Sequence, residues 1–353
     1  MFDNKFRLFY LEAKIATLYG DLTGLKAGEI KRLENIYRRR IPPSSFITHE
    51  LGRYVCGLSR EVGRQVGLLI DRRGLIDFVI VGESTGLTIP ELSDYSLGPK
   101  RLRGLRLVHT HLDNEPLTPD DMTDLALLRL DAMAALGVAP DGSPGKFYLA
   151  HLLPPNEGGR TWAVVPPVPF HQLDVDFTSF MGALEEEMLR VQGESFDVSD
   201  RREKAILVSV MSKKSSKAVQ QEAMDELREL ARSADVLVLD TALQRPDKLN
   251  AKYLMGEGKL KEILITALQK GATLLVFDQE LTPSQIRSIA ELAEIKVIDR
   301  SQLILDIFAS RAHSRDGKVQ VELAQQKYRL PMLSGKGTAL SRLMGGIGGR
   351  GPG

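Results

Sequence analysis

The sequence predicts an α/β protein with an N-terminal α/β domain, a small α/β domain built on a parallel sheet, and a truncated helical arm with a glycine-rich tip. Its 353 residues exceed what one small hydrophobic core requires, so we expect more than one domain. After residue 204, short apolar runs alternate with helical patterns, which is typical of a parallel sheet. Beyond residue 301, apolar positions become sparse, and the last residues are rich in glycine and cations.

Composition narrows the class of protein. Hydrophobic residues make up 43% and charged residues 26%, as in ordinary globular chains, and a net charge of +1 argues against a protein that coats polyanions. The single cysteine, Cys56, excludes an internal disulfide framework and a zinc finger with several cysteines. The sequence also lacks the apolar segment of a secretory signal and the ~20-residue apolar run of a membrane span. We therefore expect a cytoplasmic, monomeric protein without a membrane span.

The first domain is predicted to cover residues 1–191. Apolar periodicity in this region indicates both strands and helices, and residues 192–203, which have little periodicity, are predicted to form a linker. The predicted strands are 66–71, 78–81 and 105–109, and the predicted helices are 26–39, 121–136 and 177–190.

The second domain is predicted to cover residues 204–300. Its regular alternation predicts right-handed crossover connections and a parallel sheet. The predicted strands are 205–210, 236–239, 273–277 and 296–298, and the predicted helices are 216–231, 259–270 and 284–293.

Residues 301–332 are predicted to form the helical arm, continuous or interrupted. Its apolar stripe is narrow, so the arm needs an antiparallel partner helix, and the sequence instead runs into residues 333–353 and stops. We therefore expect a hairpin cut at its tip. Residues 311–353 contain eight basic and two acidic side chains, a net charge of +6 against −5 for the rest, which favours contact with phosphates.

Several strings carry a family resemblance. They include Asp240-Thr-Ala-Leu-Gln-Arg-Pro-Asp-Lys-Leu-Asn250, Phe277-Asp-Gln-Glu-Leu-Thr-Pro-Ser-Gln285 and Gly345-Gly-Ile-Gly-Gly-Arg-Gly-Pro-Gly353. From residue 205 onward the chain resembles the HflX family of ribosome-associated GTPases, and residues 1–191 resemble the extension of its longer bacterial members. The resemblance implies binding to the large (50S) ribosomal subunit and its rRNA, with a role in translation, ribosome rescue or ribosome biogenesis.

The resemblance also implies a G domain that binds GTP and Mg²⁺. This sequence contains no P-loop, because Gly258-Lys259 is followed by Leu260, and Gly335-Lys336 by Gly337, where a serine or threonine is required. We expect that the chain does not hydrolyse GTP by itself.

The glycine-rich tail is the first candidate site. Glycines let backbone N–H groups approach crowded phosphates, and the resemblance places this loop at the tip of a hairpin that contacts rRNA. The alternative is a flexible linker to a missing domain. The candidate RNA-binding residues are Lys336, Arg342, Gly345, Gly346, Gly348, Gly349 and Arg350.

A second candidate is an anion site at Gly256, Gly258 and Lys259, directly before a predicted helix. Free N–H groups and the helix dipole at such a position can hold a phosphate of RNA or of a nucleotide such as ATP. The alternative is an ordinary turn and helix start.

The third candidate is a metal site. On a strand, His109 and His111 share one face, and Asp121 can return from the next helix as a third ligand. The pattern resembles the His-x-His-x7-Ser-x-x-Asp motif of JAB/MPN zinc hydrolases, with Glu61 or Glu83 as candidate general base. It departs from that motif because Thr118 replaces serine and the spacing is one residue shorter. The alternative is a helix start, with Thr118 as N-cap and Pro119 at the first helical position.

Overall fold

The structure, a computed structural model, describes residues 17–92, 94–95, 102–154, 156, 158–195, 202–213, 216–293 and 295–333. They fall into two compact units. Unit 1 contains the described residues up to Leu153 together with Trp162–Arg190. Unit 2 contains those of Pro154–Thr161 and those from Val191 onward.

Unit 1 is built on a mixed sheet of seven described strands in the order β1-β3-β2-β4-β5-β6-β7. Strand β1 is parallel to β3 and β4 is parallel to β5, whereas the other neighbours are antiparallel. Strands β2 and β5 are buried at every position and are almost entirely apolar, whereas the buried strand β4 also carries Arg106, His109, Thr110 and His111. The strands are β1 (Leu18–Gly20), β2 (Val66–Asp71), β3 (Ile76–Val81), β4 (Leu105–His111), β5 (Ala132–Val138), β6 (Pro144–Leu152) and β7 (Trp162–Pro169).

The helices of unit 1 cover this sheet, and local signals fix their ends. In α2 (His49–Val62) the Thr48 hydroxyl accepts from the Leu51 N–H at 3.2 Å, and Gly63 ends the helix with φ of +66°. The Ser59 hydroxyl of α2 lies 2.7 Å from the Thr110 hydroxyl, so α2 covers the β4 face that carries Thr110. The other helices are α1 (Ala27–Glu34), α3 (Pro119–Leu127), α4 (Phe177–Ser195) and the 3₁₀ turns Asn35–Arg38 and Phe170–Gln172.

One predicted helix of unit 1 is wrong in its second half. The helix predicted over 121–136 ends at Leu127, and residues 132–138 form strand β5 instead. Arg129 has a φ of +51°, which a helix does not tolerate, and the run Ala132–Val138 is buried at every position. A fully apolar run fits a buried strand as well as a helix, so periodicity alone could not separate the two.

Unit 2 contains a four-stranded sheet in the order β11-β10-β8-β9, and every neighbouring pair is parallel. This confirms the predicted parallel α/β arrangement. Its core joins Leu207 of the sheet to Met224 and Leu227 of a covering helix. The elements are β8 (Lys204–Val210), α5 (Lys217–Ser233), β9 (Leu237–Gln244), α6 (Glu257–Lys270), β10 (Leu274–Phe277), α7 (Pro283–Ala293) and β11 (Lys296–Asp299).

The arm is helical, as predicted, and it is interrupted. Helix α8 (Arg300–Arg311) is followed by α9 (Arg315–Arg329), whose N-cap Ser314 accepts from the Gly317 N–H at 3.0 Å, and by the 3₁₀ turn Leu330–Leu333. Among residues 315–329 no side chain is buried. The fold class is therefore confirmed as mixed α/β with a parallel-sheet region and a helical arm. The JAB/MPN-like character of unit 1 and the linker at 192–203 remain predictions; α4 continues to Ser195, and residues 196–201 lie outside the described residues.

Candidate metal centre

Strand β4 and the first turn of α3 bring His109, His111 and Asp121 together. The Nε2 atoms of the two histidines are 2.9 Å apart. The His109 Nε2 lies 3.2 Å from Asp121 Oδ1, and the His111 Nε2 lies 3.5 Å from Asp121 Oδ2. Three residues that the sequence pattern singled out therefore converge on one point.

These distances fit a tetrahedral zinc ion. With Zn–N and Zn–O bonds of about 2.0–2.2 Å, ligand atoms of a tetrahedral site lie about 3.3–3.6 Å apart, close to the two His–Asp121 separations and somewhat longer than the 2.9 Å between the histidines. Three protein ligands leave one coordination position for water or substrate, as in catalytic rather than structural zinc sites.

The histidine side chains are each 1% exposed and the Asp121 side chain is 17% exposed, so the cluster is open to solvent mainly through the carboxylate. His111 Nδ1 lies 3.0 Å from the Glu115 carbonyl oxygen, which can only accept, so Nδ1 carries the proton. In neutral His111 the lone pair is then on Nε2, the atom that faces the cluster. Among the described residues, His109 Nδ1 has no hydrogen-bond partner.

The short spacing does not prevent Asp121 from reaching the histidines. Thr118 is the N-cap of α3 and Pro119 is its first residue, so the predicted helix start is confirmed. Asp121 Oδ2 accepts from the Thr118 N–H at 2.7 Å and from its hydroxyl at 2.8 Å. Asp121 therefore both caps the helix and faces the histidines. The segment can serve as a helix start and supply a metal ligand at the same time.

The buried cluster shifts the ionisation of all three groups. Burial lowers the pKa of His109 below its usual range, although the Asp121 hydrogen bond opposes this. Burial acts on His111 in the same direction, but the hydrogen bond and charge of Asp121 together with the contacts of Glu115 outweigh it, so the His111 pKa is raised. For Asp121, burial is outweighed by hydrogen bonds with His109 and His111, which hold its pKa well below its usual range. The carboxylate is therefore ionised and available to a cation.

The candidate general bases lie elsewhere. Glu61 belongs to α2, which covers the opposite face of β4, and its carboxylate pairs with Arg32. Glu83 is exposed at the end of β3, where its backbone binds Gly86 and Gln65. Besides Asp121, the carboxylate of Glu115 lies near the histidines, with its Oε1 3.8 Å from His111 Nδ1. Glu115 was not predicted as part of the site, because the turn after β4 carries no motif.

Gly256, Gly258 and Lys259 lie at the start of α6 as expected, with Gly256 as N-cap. The Lys259 ammonium pairs with Glu262 of the same helix. A Cβ at either glycine would meet no atom within 4 Å, so local packing does not require glycine there. Anion binding at this helix start remains a prediction.

The seven candidate RNA-binding residues, from Lys336 to Arg350, lie outside the described residues. None of the helices within the described ranges combines the length and apolar character needed to cross a membrane.

The family matches concern the second half of the chain. Residues 221–309 match the family described as GTP-binding GTPase N-terminal, and residues 311–353 match GTP-binding GTPase Middle Region. Neither match reaches the candidate metal centre.

The curated relatives are GTPases HflX. That of Caldanaerobacter subterraneus subsp. tengcongensis is 45% identical over 152 residues, which is 43% of this chain and 35% of that protein. That of Escherichia coli is 41% identical over 158 residues, covering 45% and 36% respectively. A solved GTP-binding protein from Sulfolobus solfataricus in complex with GDP is 29% identical, covers 37% of this chain and 38% of its own, and has a TM-score of 0.30.

The matched region spans about a third of the length of these curated relatives. The two family matches include the strings of residues 240–250, 277–285 and 345–353 that carry the resemblance. Residues 221–353 are therefore similar to the N-terminal and middle regions of GTPases of the HflX family.

Proposed function

We propose that residues 204–353 form the part of an HflX-like GTPase that binds the large ribosomal subunit and contacts its rRNA through the glycine-rich tail. The family match of residues 221–353 carries this proposal. GTP and Mg²⁺ belong to the G domain of such a GTPase, for which residues 1–353 contain no P-loop sequence. The function of this region is binding, in translation, ribosome rescue or ribosome biogenesis.

The charge of the arm supports rRNA as the partner. Helix α9 carries Arg315, Lys318 and Lys327 as exposed side chains, and the tail adds three more cations. Residues 329–353 contain no aromatic side chain, so base stacking within this segment does not supply affinity. Contacts of cations and backbone N–H groups with phosphates remain as the source of binding.

Co-sedimentation of the chain with purified large ribosomal subunits across a salt series tests this proposal. Replacing Lys336, Arg342 and Arg350 with glutamine should weaken binding and reduce the slope of log affinity against log salt by about 2, because about 0.7 counterions are released per phosphate contact. The matched control replaces three exposed cations of unit 2, Lys217, Arg232 and Lys248, with glutamine.

Equal loss of ribosome binding in both triple variants would mean that binding depends on the overall charge of the chain and not on the tail. No binding of the unchanged chain to large subunits would contradict the ribosomal proposal itself.

We also propose that unit 1 is a zinc-dependent hydrolase of the JAB/MPN kind. The convergence of the His109, His111 and Asp121 ligand atoms carries this proposal. Zinc bound there would supply a Lewis acid for a scissile carbonyl. The residues of the chain have distinct tasks: the histidines offer ring nitrogens, Asp121 offers charge, and Glu115 lies beside His111 Nδ1, on the outer side of that ring.

Zinc titration of the chelator-treated chain, followed by metal analysis, tests the site. One zinc per chain should bind, and His111→Ala should abolish this binding, whereas His171→Ala, at an exposed histidine, should not affect it. Hydrolysis of peptide or isopeptide bonds should then depend on added zinc and disappear in His111→Ala. Absence of stoichiometric zinc would contradict the metal site, and zinc binding without hydrolysis would contradict the enzyme.

A further inference from the structure

The turn after β4 contains Asn114, which contacts His111 and is not itself one of the three candidate zinc ligands. Asn114 has a φ of +53°, in the left-handed region that asparagine tolerates better than most residues. Its N–H bonds the His111 carbonyl at 3.3 Å, closing the turn.

Strand β6 forms hydrogen bonds with two atoms of Asn114. The Asn114 Oδ1 accepts from the Lys146 N–H at 3.0 Å, and the Asn114 carbonyl accepts from the Tyr148 hydroxyl at 2.8 Å. Side chain and main chain of one turn residue are thus both tied to the neighbouring strand.

Two glycines leave the space that this side chain fills. A Cβ at Gly137 would lie 1.8 Å from Asn114 Oδ1, and a Cβ at Gly145 would lie 2.5 Å from the same atom. Any side chain at either position would expel Asn114, so the sheet at this point is shaped around the asparagine.

The hydrogen bonds of Asn114 restrain the direction of the carbonyl group of the next residue, Glu115. The Glu115 carbonyl follows directly in the chain and accepts from His111 Nδ1 at 3.0 Å. This bond places the proton of neutral His111 on Nδ1 and leaves the lone pair on Nε2, at 2.9 Å from His109 Nε2. Such outer contacts fix the tautomer and ring orientation of metal-binding histidines.

We propose that Asn114 is a positioning residue that holds His111 in the Nδ1–H tautomer, with Nε2 presented to a divalent metal ion. The inference rests on the proposed metal site for its purpose. The tautomer itself can be measured without metal.

The first test uses ¹⁵N chemical shifts of the His111 ring in the metal-free chain, at a pH high enough for the ring to be neutral, because the His111 pKa is raised. The unchanged chain should show the Nδ1–H tautomer, and Asn114→Ala should shift the ring toward a mixture of tautomers. Asn114→Asp keeps the acceptor for the Lys146 N–H and should retain the Nδ1–H form. Unchanged shifts in Asn114→Ala would overturn the inference whether or not metal binds.

The second test measures zinc affinity and the absorption spectrum of bound Co²⁺. Asn114→Ala and Gly145→Ala should each weaken zinc binding by about 10- to 100-fold, the usual effect of losing an outer contact, and alter the Co²⁺ spectrum. Asn114→Gly keeps access to the left-handed backbone, so a loss there isolates the side chain. Asp141→Ala is the matched control, since it removes side-chain bonds to Ser143 in the β5–β6 turn of the same unit.

The outcomes separate the two proposals. Failure of the unchanged chain to bind zinc would overturn the metal site and leave the tautomer test to decide the role of Asn114. Zinc binding that is equal in the unchanged chain and in the Asn114 variants would overturn the positioning role alone. Equal weakening by Asp141→Ala would also overturn it, because the effect would then follow from general loosening of the unit.

Discussion

Two carboxylates at helix starts, Asp121 in unit 1 and Asp299 in unit 2, have different surroundings. Asp299 is the N-cap of α8, and its Oδ1 accepts from the Gln302 N–H at 2.9 Å. Its Oδ2 accepts from the Leu281 N–H at 3.1 Å and from the Tyr328 hydroxyl. Protein donors therefore use both oxygens of Asp299, whereas Asp121 faces two imidazole nitrogens.

This difference separates a structural carboxylate from a candidate ligand. A buried carboxylate that protein donors satisfy stabilises its own fold and has no capacity left for a cation. Asp121 shares its charge with His109 and His111, whose nitrogens can bind a proton or a metal. We therefore expect replacement of Asp299 to reduce stability strongly, and replacement of Asp121 mainly to abolish metal binding.

The largest expected effect is on the structural carboxylate. Asp299→Ala leaves the Leu281 and Gln302 N–H groups without their acceptor, so unit 2 should lose about 3 kcal/mol of unfolding free energy. Hydrogen exchange of the β10 and β11 amides measures this loss. Asp299→Asn retains an acceptor and should cost less. A loss below about 1 kcal/mol for Asp299→Ala would contradict the structural role.

Zinc should produce the next largest effect, confined to unit 1. At zinc 100-fold above its dissociation constant, the unit should gain about 2.7 kcal/mol. Cys56 reports this change, because it is the one cysteine of the sequence, it is buried, and burial raises its thiol pKa to about 12. At pH 8 the folded thiol is neutral and unreactive, so labelling requires opening of the unit.

Labelling of Cys56 should therefore slow by about 100-fold with zinc. His111→Ala serves as the control and should show no slowing. Equal protection of Cys56 in that variant would place the zinc at another site and would contradict the assignment.

A smaller effect is expected for Asp121→Asn without metal. The pKa of Asp121 is lowered in the folded chain, so its charge contributes stability above the usual carboxyl pKa, and this contribution is lost as pH falls toward the folded value. Asparagine keeps an oxygen for the Thr118 N–H but removes the charge, so unit 1 should lose about 1 kcal/mol at neutral pH. Fluorescence of Trp162 during urea unfolding measures this loss.

The variant should also no longer bind zinc. A loss of about 3 kcal/mol without metal would instead show that Asp121 is as structural as Asp299.

The contrast also shows what the sequence can predict. Strands β2, β8 and β10 were predicted within about one or two residues, because continuous apolar runs bounded by polar residues are strong signals. The pair His109 and His111 could be recognised because alternate strand residues share a face. Strand β5 was mistaken for helix, since seven buried apolar residues carry no period.

The rest of the site depends on contacts between distant segments. The hydrogen bonds of Lys146 and Tyr148 with Asn114 join residues that are 32 and 34 positions apart in the chain. No local sequence pattern encodes these bonds. The contact of Tyr328 with Asp299 likewise joins an arm to a sheet edge 29 residues away. Local propensity predicts elements, whereas the contacts that orient a ring or an arm arise only from packing.

The smallest expected effect is in the arm. Burial and Asp299 raise the pKa of Tyr328 well above its usual range, so its hydroxyl stays protonated and donates to the carboxylate. Tyr328→Phe removes this one bond while Asp299 keeps its backbone donors, so the loss should be about 1 kcal/mol. It should appear as faster hydrogen exchange in Arg315–Arg329, with little change in β10.

The matched control for the arm is Gln325→Ala. Gln325 Nε2 donates to Asp306 Oδ1 at 2.9 Å. Removing this bond weakens the attachment of α9 at a second point and leaves the hydrogen bonds of Asp299 intact. Because α9 has no buried side chain, these polar bonds carry much of its attachment, and the double variant should detach it more than either single change. Faster exchange in β10 or β11 after Tyr328→Phe would instead mean that Asp299 needs all its donors to stabilise the sheet.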